Sequence, residues 1–261
     1  MINNIKIDNF EMRYFKFGHG TKNMVIIPGV NMNSVMKLEN LIIDAYKIFE
    51  SDFSVYVFDR ITKMEKSYDV YDMASDLIKV LDYLKLDNLY LFGTSQGGMI
   101  AELIAIKRPD LVSKLNINST VGYVDNNEYK IFNNLINLCN ENKIYDAVDL
   151  LAQNIYSANL YNNIKNTLND YAKSLTSLDI NNFIIECAAL NNFNVLNDLS
   201  NIKCSTLIIA SKKDKIFDYH KSIELNNKIK NSRLYLYDDY SHTVYDEATD
   251  FKKIVYDFFI E

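Results

Sequence analysis

The chain has 261 residues, of which 48% are hydrophobic and 24% charged, and its formal net charge is −6. This length and composition are typical of one globular domain, or of a core domain with an insertion. The negative charge and the absence of a basic run argue against binding to nucleic acid. No stretch reaches the roughly 18 apolar residues of a membrane span, and the N-terminus lacks the apolar segment of a signal peptide. We therefore predict a cytoplasmic protein that does not insert stably into membranes.

The three cysteines, Cys139, Cys187 and Cys204, are widely spaced, and none belongs to a CxxC motif or a Cys/His cluster. This arrangement argues against a zinc site and against a framework of disulfides. We predict three reduced thiols, as is usual for a cytoplasmic protein, and no bound metal.

In the first 120 residues, short apolar β-forming segments alternate with segments whose apolar residues recur at helical spacing. The predicted strands are a pair within 5–17, then 24–29, 54–59, 88–93 and 114–119. The predicted helices are 35–49, 70–84 and 96–110. Because the strands after the first pair are apolar throughout, we predict a mainly parallel sheet with helices on both faces.

From residue 123 to 200 helical periodicity dominates, with Asn-rich breaks and no convincing strand. The alternation then resumes with a strand at 205–211, a helix at 218–230, a strand at 233–238 and a helix at 243–260. The prediction is one α/β core, formed by 1–122 and 201–261, with eight strands in all. A helical insertion at 123–200 follows the sixth strand.

Residues 88–101, NLYLFGTSQGGMIA, contain three of the seven glycines of the chain. A strand followed at once by G-x-S-x-G and a helix is the pattern of a nucleophile elbow, formed here by Gly93, Ser95 and Gly97. In such a turn the serine hydroxyl is raised above the sheet edge, and the residues on either side approach too closely for side chains. The alternative is a glycine-rich turn with an N-capping serine.

A nucleophilic serine needs a base and an acid that orients the base. The chain has three histidines, and His242 lies in a loop after the last strand, where it can share a sheet edge with the elbow. His19 lies in an early turn and His220 in a predicted helix, and we interpret both as surface residues. We predict that His242 is the base.

The acid should leave the same sheet edge, and Asp214 lies in the loop after the seventh strand. Asp218 competes with it, although its position is that of an N-cap residue. Asp238 and Asp239 are close to His242 in sequence and are compatible with solvated turn positions. We predict Asp214 as the acid.

Two backbone N–H groups should bind the oxyanion of the reaction intermediate. The first is that of Gln96, which follows the serine, and the second should come from the loop after strand 24–29. We predict Val30 for this role, with Asn31 as the alternative one position further on. The competing interpretation is a plain turn that ends the strand at Pro28-Gly29.

These residues resemble the α/β-hydrolase superfamily in the order Ser95, Asp214, His242, in the elbow GTSQGG, in the loop PGV at 28–30 and in FDR at 58–60. The resemblance covers nearly the whole chain. It implies an α/β-hydrolase fold in which the insertion at 123–200 forms a cap over the active site. The chain departs from common family features at Pro28, where His-Gly is frequent, and at Ser211 and Ser241, where glycine is usual.

The chemistry implied is two-step acyl transfer to Ser95 without a metal or an organic cofactor. The expected substrates are small esters or thioesters with an apolar part, which makes the chain carboxylesterase-like. Cleavage of C–C or amide bonds stays open, as does a receptor role in which a ligand binds with slow turnover or none. Docking of the cap on a membrane is a third alternative, which no basic amphipathic stretch supports.

Overall fold

The computed structural model describes residues 1–261 and contains a single eight-stranded sheet. Its strands are β1 (Ile2–Ile7), β2 (Phe10–Phe17), β3 (Lys22–Ile27), β4 (Phe53–Ile61), β5 (Leu89–Thr94), β6 (Val112–Asn118), β7 (Ser205–Ser211) and β8 (Ser232–Tyr237). Their spatial order is β1-β2-β4-β3-β5-β6-β7-β8. β2 is antiparallel to β1 and β4, and all other neighbours are parallel. The predicted mainly parallel sheet of eight strands is confirmed.

The helices pack on both faces of this sheet. They are α1 (Glu39–Ala45), α2 (Val70–Tyr83), α3 (Gln96–Lys107), α4 (Asn126–Asn140), α5 (Ile144–Ile155), α6 (Ala158–Ile164), α7 (Leu168–Ser174), α8 (Ser177–Ala189), α9 (Tyr219–Lys228), α10 (Val244–Glu247) and α11 (Phe251–Ile260). Short 3-10 turns occur at Val35–Leu38, Lys47–Phe49, Lys165–Thr167 and Leu199–Asn201. None of the helices is both long and apolar enough to cross a membrane.

The segment Met24–Ile27 of β3 is apolar throughout because both faces of the sheet are covered there. In β3, Val25 and Ile27 belong to the core on one face, whereas Met24 and Ile26 belong to the core on the other. Side chains alternate between the two faces along a strand, so consecutive residues are buried where both faces are covered.

Two predicted helices are interrupted. The segment 35–49 forms α1 between two 3-10 turns, and the last helix is divided into α10 and α11. The chain turns at Tyr46, which has non-helical angles of φ −106° and ψ 17°. This turn lets the rings of both Tyr46 and Phe49 reach the core, where they contact Phe92 and Phe259. Core packing of these aromatic rings therefore overrides the helical periodicity.

Five helices, α4 to α8, lie between β6 and β7, where the sequence predicts a helical insertion. The two ends of this segment run side by side. The Val195 N–H donates to the Gly122 carbonyl at 2.8 Å, and the Val124 N–H donates to the Phe193 carbonyl at 3.0 Å. The chain thus enters and leaves the helical segment at one narrow neck. The division into core and cap domains stays a prediction.

The strand register brings the carboxyl ends of the parallel strands to one edge. Thr94 at the end of β5 is opposite Asn118 of β6, which is opposite Ile209 of β7. Ser211 at the end of β7 is opposite Tyr237 of β8. The loops that follow these strands therefore emerge together, as expected for a ligand site in a parallel sheet.

Glu102 in α3 is a carboxyl group without a partner in the core. Its side chain is fully buried, and neither carboxyl oxygen accepts a hydrogen bond. Burial raises the pKa of Glu102 well above its ordinary value. The folded protein therefore favours the neutral acid, which still lacks the hydrogen bonds that water supplies to it in the unfolded chain.

We expect Glu102→Met to increase the free energy of unfolding by about 1–3 kcal/mol, because it removes this desolvation cost. The folded protein binds the Glu102 proton more tightly than the unfolded chain does. The wild type therefore loses stability as the pH rises from the ordinary pKa of a glutamate through the raised pKa of the folded state. The advantage of the variant should therefore be larger at pH 9 than at pH 5. Urea unfolding at both pH values measures it, with exposed Glu141→Met as the matched control. A less stable Glu102→Met protein, or the same gap at both pH values, would contradict this account.

Candidate active site

The sharp turn between β5 and α3 has the backbone geometry of a nucleophile elbow. Ser95 has φ 53° and ψ −123°, a strained conformation for a residue other than glycine. A Cβ on Gly97 would lie 2.0 Å from the Ile27 carbonyl oxygen, and one on Gly93 would lie 2.6 Å from the Gly97 carbonyl oxygen. Both spaces are occupied by backbone, so only glycine fits at these positions.

Ser95 immediately precedes α3 but does not cap it through its side chain. The N-capping interpretation of this serine therefore does not account for the turn. The Ser95 carbonyl oxygen accepts a hydrogen bond from Thr120 Oγ1 at 2.8 Å, and its N–H donates to the Asn118 carbonyl at 3.0 Å. Asn118 and Thr120 thus hold the strained backbone of Ser95, while its hydroxyl is not used to cap the helix.

His242 and Asp214, which belong to different loops, form a buried pair. His242 Nδ1 lies 2.8 Å from Asp214 Oδ2, and the two side chains are 5% and 3% exposed. The other oxygen, Asp214 Oδ1, accepts hydrogen bonds from the N–H groups of Ile216 at 2.8 Å and Phe217 at 3.1 Å. These two N–H groups fix the plane of the carboxylate, so Oδ2 is directed at the imidazole.

The competing carboxylates have other contacts. Asp218 caps α9 by accepting from the His220 N–H at 2.9 Å, as its position in the sequence predicts. Asp238 and Asp239 are exposed and form ion pairs with Lys212 and Lys213, which directly follow β7. Of the four candidate acids, Asp214 is the one in contact with His242.

Ser95 and His242 line a common cavity of about 40 Å³, together with Val30, Leu151 and Ile155 among others. Ser95 Oγ and His242 form no hydrogen bond in this structure. Catalytic hydrogen bonds are often long before substrate binds and tighten in the reacting complex. His242 therefore remains the candidate base for this serine.

Two backbone N–H groups beside this cavity have no acceptor in the protein. One belongs to Val30, in the loop after β3, which lines the cavity, and the other to Gln96, the first residue of α3, which directly follows the cavity residue Ser95. The N–H of Asn31, the alternative to Val30, instead donates to Glu186 Oε2 at 3.3 Å. The arrangement favours Val30 over Asn31 as an oxyanion donor.

Sequence patterns did not identify the segment at the end of β6 and after it as a support for the site. Ser119 Oγ donates to the His242 carbonyl oxygen at 2.6 Å, and Thr120 contacts Ser95 as described above. Both residues are buried, as is Asn118 before them. The signal was a run of three polar residues, from Asn118 to Thr120, at the carboxyl end of a buried strand, where unpartnered polar groups would be costly.

The two serines that replace usual glycines have different surroundings. Ser211 Oγ donates to the Tyr240 carbonyl, which ties the end of β7 to the loop of His242. Ser241 is buried and its hydroxyl has no partner. The first serine therefore adds a contact to the site, whereas nothing in the structure explains the second.

Comparison with known families settles which fold this is. A family model described as alpha/beta hydrolase fold matches residues 22–249. The chain belongs to this family. The fold expected from the resemblance of the sequence is thereby confirmed for this α/β hydrolase.

Individual relatives of this α/β hydrolase are distant. RutD of Rhizobium rhizogenes, whose name gives carbamate hydrolysis as a provisional activity, is 25% identical over 202 residues, or 74% of this chain and 77% of the relative. Among solved structures, an alpha/beta hydrolase enzyme from a Medee basin deep-sea metagenome library has a TM-score of 0.88 at 20% identity and covers 99% of this chain and 98% of its own. The enol-lactonase of Burkholderia xenovorans has a TM-score of 0.86 at 17% identity and covers 99% and 100%. Both structures share the fold.

Beside the small cavity lies a larger apolar one of about 290 Å³. Its walls include Val148, Leu151 and Ile155 of α5 and Leu168 of α7, all from the helical segment between β6 and β7. Val30, Leu151 and Ile155 line both cavities, so the larger one is adjacent to the cavity that contains Ser95. No group of three or more His, Cys, Asp or Glu side chains in the structure has the arrangement of a metal site.

Proposed function

We propose that this α/β hydrolase is a serine hydrolase that cleaves a carboxylic ester or thioester through an acyl-enzyme intermediate. The observation that carries the proposal is the buried His242–Asp214 pair, which shares a cavity with Ser95 on its strained turn. Such a turn is costly to maintain, and strain of this kind concentrates at functional sites.

In the proposed mechanism, Ser95 Oγ attacks the substrate carbonyl carbon while His242 Nε2 takes the hydroxyl proton. Asp214 holds the imidazole by its Nδ1–H and stabilises the imidazolium that forms. The N–H groups of Val30 and Gln96 donate to the tetrahedral oxyanion. His242 then gives the proton to the leaving alcohol or thiol, and it later activates the water that hydrolyses the acyl-enzyme.

The surroundings of Ser95 support a small substrate with an apolar acyl part. The cavity of about 290 Å³ is lined by ten hydrophobic residues out of twelve and borders Val30. An acyl chain that occupied it would place its carbonyl near the two free N–H groups. In this proposal the segment 123–200 is a cap whose helices form the walls of the substrate pocket, and nucleic acid is not a partner.

Carbamate esters are a second candidate class because of the name of the relative RutD. A carbamate has the same carbonyl and leaving group as an ester, so the same attack by Ser95 would apply to it. Carbamates react more slowly than esters with nucleophiles, and a true preference for them would require contacts to the carbamate nitrogen. A substrate panel separates the two classes.

The proposal is tested by labelling the purified protein with a fluorophosphonate and locating the modified residue by mass spectrometry. We expect stoichiometric labelling of Ser95 in the native protein and none after unfolding, because reactivity depends on His242. The same preparation is then assayed with p-nitrophenyl esters from acetyl to palmitoyl, with a thioester and with an N-alkyl carbamate. Ester turnover should increase from acetyl towards longer chains as the apolar cavity is filled.

Other outcomes separate the alternatives. Labelling at a residue other than Ser95 contradicts the nucleophile assignment. A protein that neither labels nor turns over any member of the panel supports a ligand-binding role instead. Turnover of the carbamate alone supports the second substrate class.

A further inference from the structure

Arg60 connects the two segments that carry the candidate oxyanion donors. It lies near the end of β4 and is 8% exposed. Its Nη2 donates to the Pro28 carbonyl at 2.7 Å and to Gln96 Oε1 at 3.1 Å. Pro28 is two residues before Val30, and Gln96 supplies the second free N–H. One guanidinium nitrogen thus links the loop after β3 to the elbow.

Glu186 of α8 completes the same network from the helical segment. Its carbonyl oxygen accepts from Gln96 Nε2 at 2.8 Å, and its carboxylate Oε2 accepts from the Asn31 N–H at 3.3 Å. Arg60 and Glu186 therefore hold the chain on both sides of Gly29 and Val30. The other side-chain hydrogen bond to the backbone of 28–31 is local, from Asn31 Nδ2 to the Gly29 carbonyl at 3.2 Å.

The network is polar, charged and buried. Glu186 is 6% exposed, and burial raises its pKa to about 7 although Arg60 acts in the opposite direction. Arg60 Nε is buried without a partner, and the Arg60 residue lines a polar cavity of about 50 Å³ together with Arg13, Asp59 and Asn182. Buried charges of this kind add little net stability compared with apolar residues of the same size. Arg60 and Glu186 instead contact the backbone of the loop after β3, which indicates that they fix the position of this loop.

We propose that Arg60 and Glu186 are positioning residues that hold the Val30 and Gln96 N–H groups in place. The position of α8, which carries Glu186, would then determine the geometry of the oxyanion hole. This inference rests on the proposed function. Neither side chain lines the cavity at Ser95, so both act through the backbone of the loop and the elbow. Through Glu186, the helical segment thus contacts the loop after β3 and the elbow directly, in addition to lining the substrate pocket.

The test compares Arg60→Met and Glu186→Met with the wild type. Each should lower kcat for the best ester by about 10- to 100-fold with KM changed less than about threefold, because oxyanion donors act mainly in the transition state. Binding of a trifluoromethyl ketone, which forms a tetrahedral adduct, should weaken by the same factor as kcat. Glu186→Gln keeps an acceptor oxygen for the Asn31 N–H and should recover most of the activity.

Two control variants match the chemical changes. Arg13→Met removes a neighbouring arginine that lines the same polar cavity, and Glu102→Met removes another buried carboxyl. Arg13 hydrogen-bonds to Asp59 and Glu102 to nothing, so neither side chain has a hydrogen bond to the loop after β3 or to the elbow, and kcat should stay within about twofold of the wild type. Rates are expressed per fluorophosphonate-reactive site, which removes any effect of a smaller folded fraction.

Hydrogen–deuterium exchange of the peptide around 28–31 provides a readout that does not need catalysis. Exchange should increase at least several-fold in Arg60→Met and Glu186→Met and stay unchanged in the two controls. Unchanged kcat per site, or unchanged exchange in both variants, overturns the positioning role. A wild type that is inactive on every substrate contradicts the proposed function, and the exchange measurement then still decides whether Arg60 and Glu186 hold the loop.

Discussion

Ser95→Ala is expected to reduce kcat/KM for the best ester by about 10⁴- to 10⁶-fold and to abolish fluorophosphonate labelling. The hydroxyl is the only part of the side chain that is removed, and it makes no capping bond to α3. Folding should therefore be preserved, since the elbow is held by backbone contacts to the loop after β6. Steady-state kinetics, labelling stoichiometry and the thermal unfolding midpoint together measure this result.

The matched control for this variant is Ser51→Ala. Ser51 is exposed and precedes β4, so it lies at the opposite edge of the sheet from the elbow. Its replacement should leave kcat/KM and labelling unchanged. If Ser95→Ala keeps more than about a tenth of the wild-type activity while Ser51→Ala is normal, Ser95 is not the nucleophile.

Asp214→Asn is expected to lower kcat by about 10³- to 10⁴-fold, although it changes one atom and no volume. Asp214 Oδ1 accepts from the N–H groups of Ile216 and Phe217, and the amide oxygen of Asn must take this place. The amide NH₂ then faces His242 Nδ1, which can no longer carry a proton. The imidazole is forced into the tautomer with its proton on Nε2, and this form cannot accept a proton from Ser95.

Asp239→Asn makes the same chemical change in an exposed residue that pairs with Lys213, and it should have no effect on kcat. The pH dependence provides a further measurement. Because the variant contains the wrong tautomer, we expect its residual activity to grow at high pH, where hydroxide replaces the base. An Asp214→Asn enzyme with more than about a tenth of the wild-type kcat would contradict the role of this carboxylate as the orienting acid.

The position of the candidate acid illustrates how far local patterns reach. The sequence favours Asp214 over Asp218 because an aspartate directly before a helix is usually its cap, and the structure shows Asp218 in that place. Helical periodicity, in contrast, predicted one helix at 35–49 and one at 243–260, and both are interrupted. Packing of Tyr46 and Phe49 against distant aromatic rings decided the first case, and no local pattern contains that information.

The Arg60–Glu186 network shows a second limit. Arg60 is part of the segment FDR that the resemblance rests on, and Glu186 is a single acidic residue within the apolar run FIIECAAL. An acid in such a run signals a buried polar contact. Its partners, the N–H of Asn31 and the side chain of Gln96, lie in segments far along the chain. Arg60, Glu186 and their partners can be recognised as one network only from their contacts in the folded protein.

By itself the sequence determined the order of the strands, the family and the sharp glycine turn at Gly93–Gly97. These features depend on side-chain periodicity and on the backbone freedom of glycine, which act over a few residues. The tertiary structure alone decided that Asp214 contacts His242, that Val30 and not Asn31 has a free N–H, and that α8 is tied to the loop after β3. The reason is that these contacts join loops from different strands and helices, and their distances are set by how the whole sheet and its helices pack.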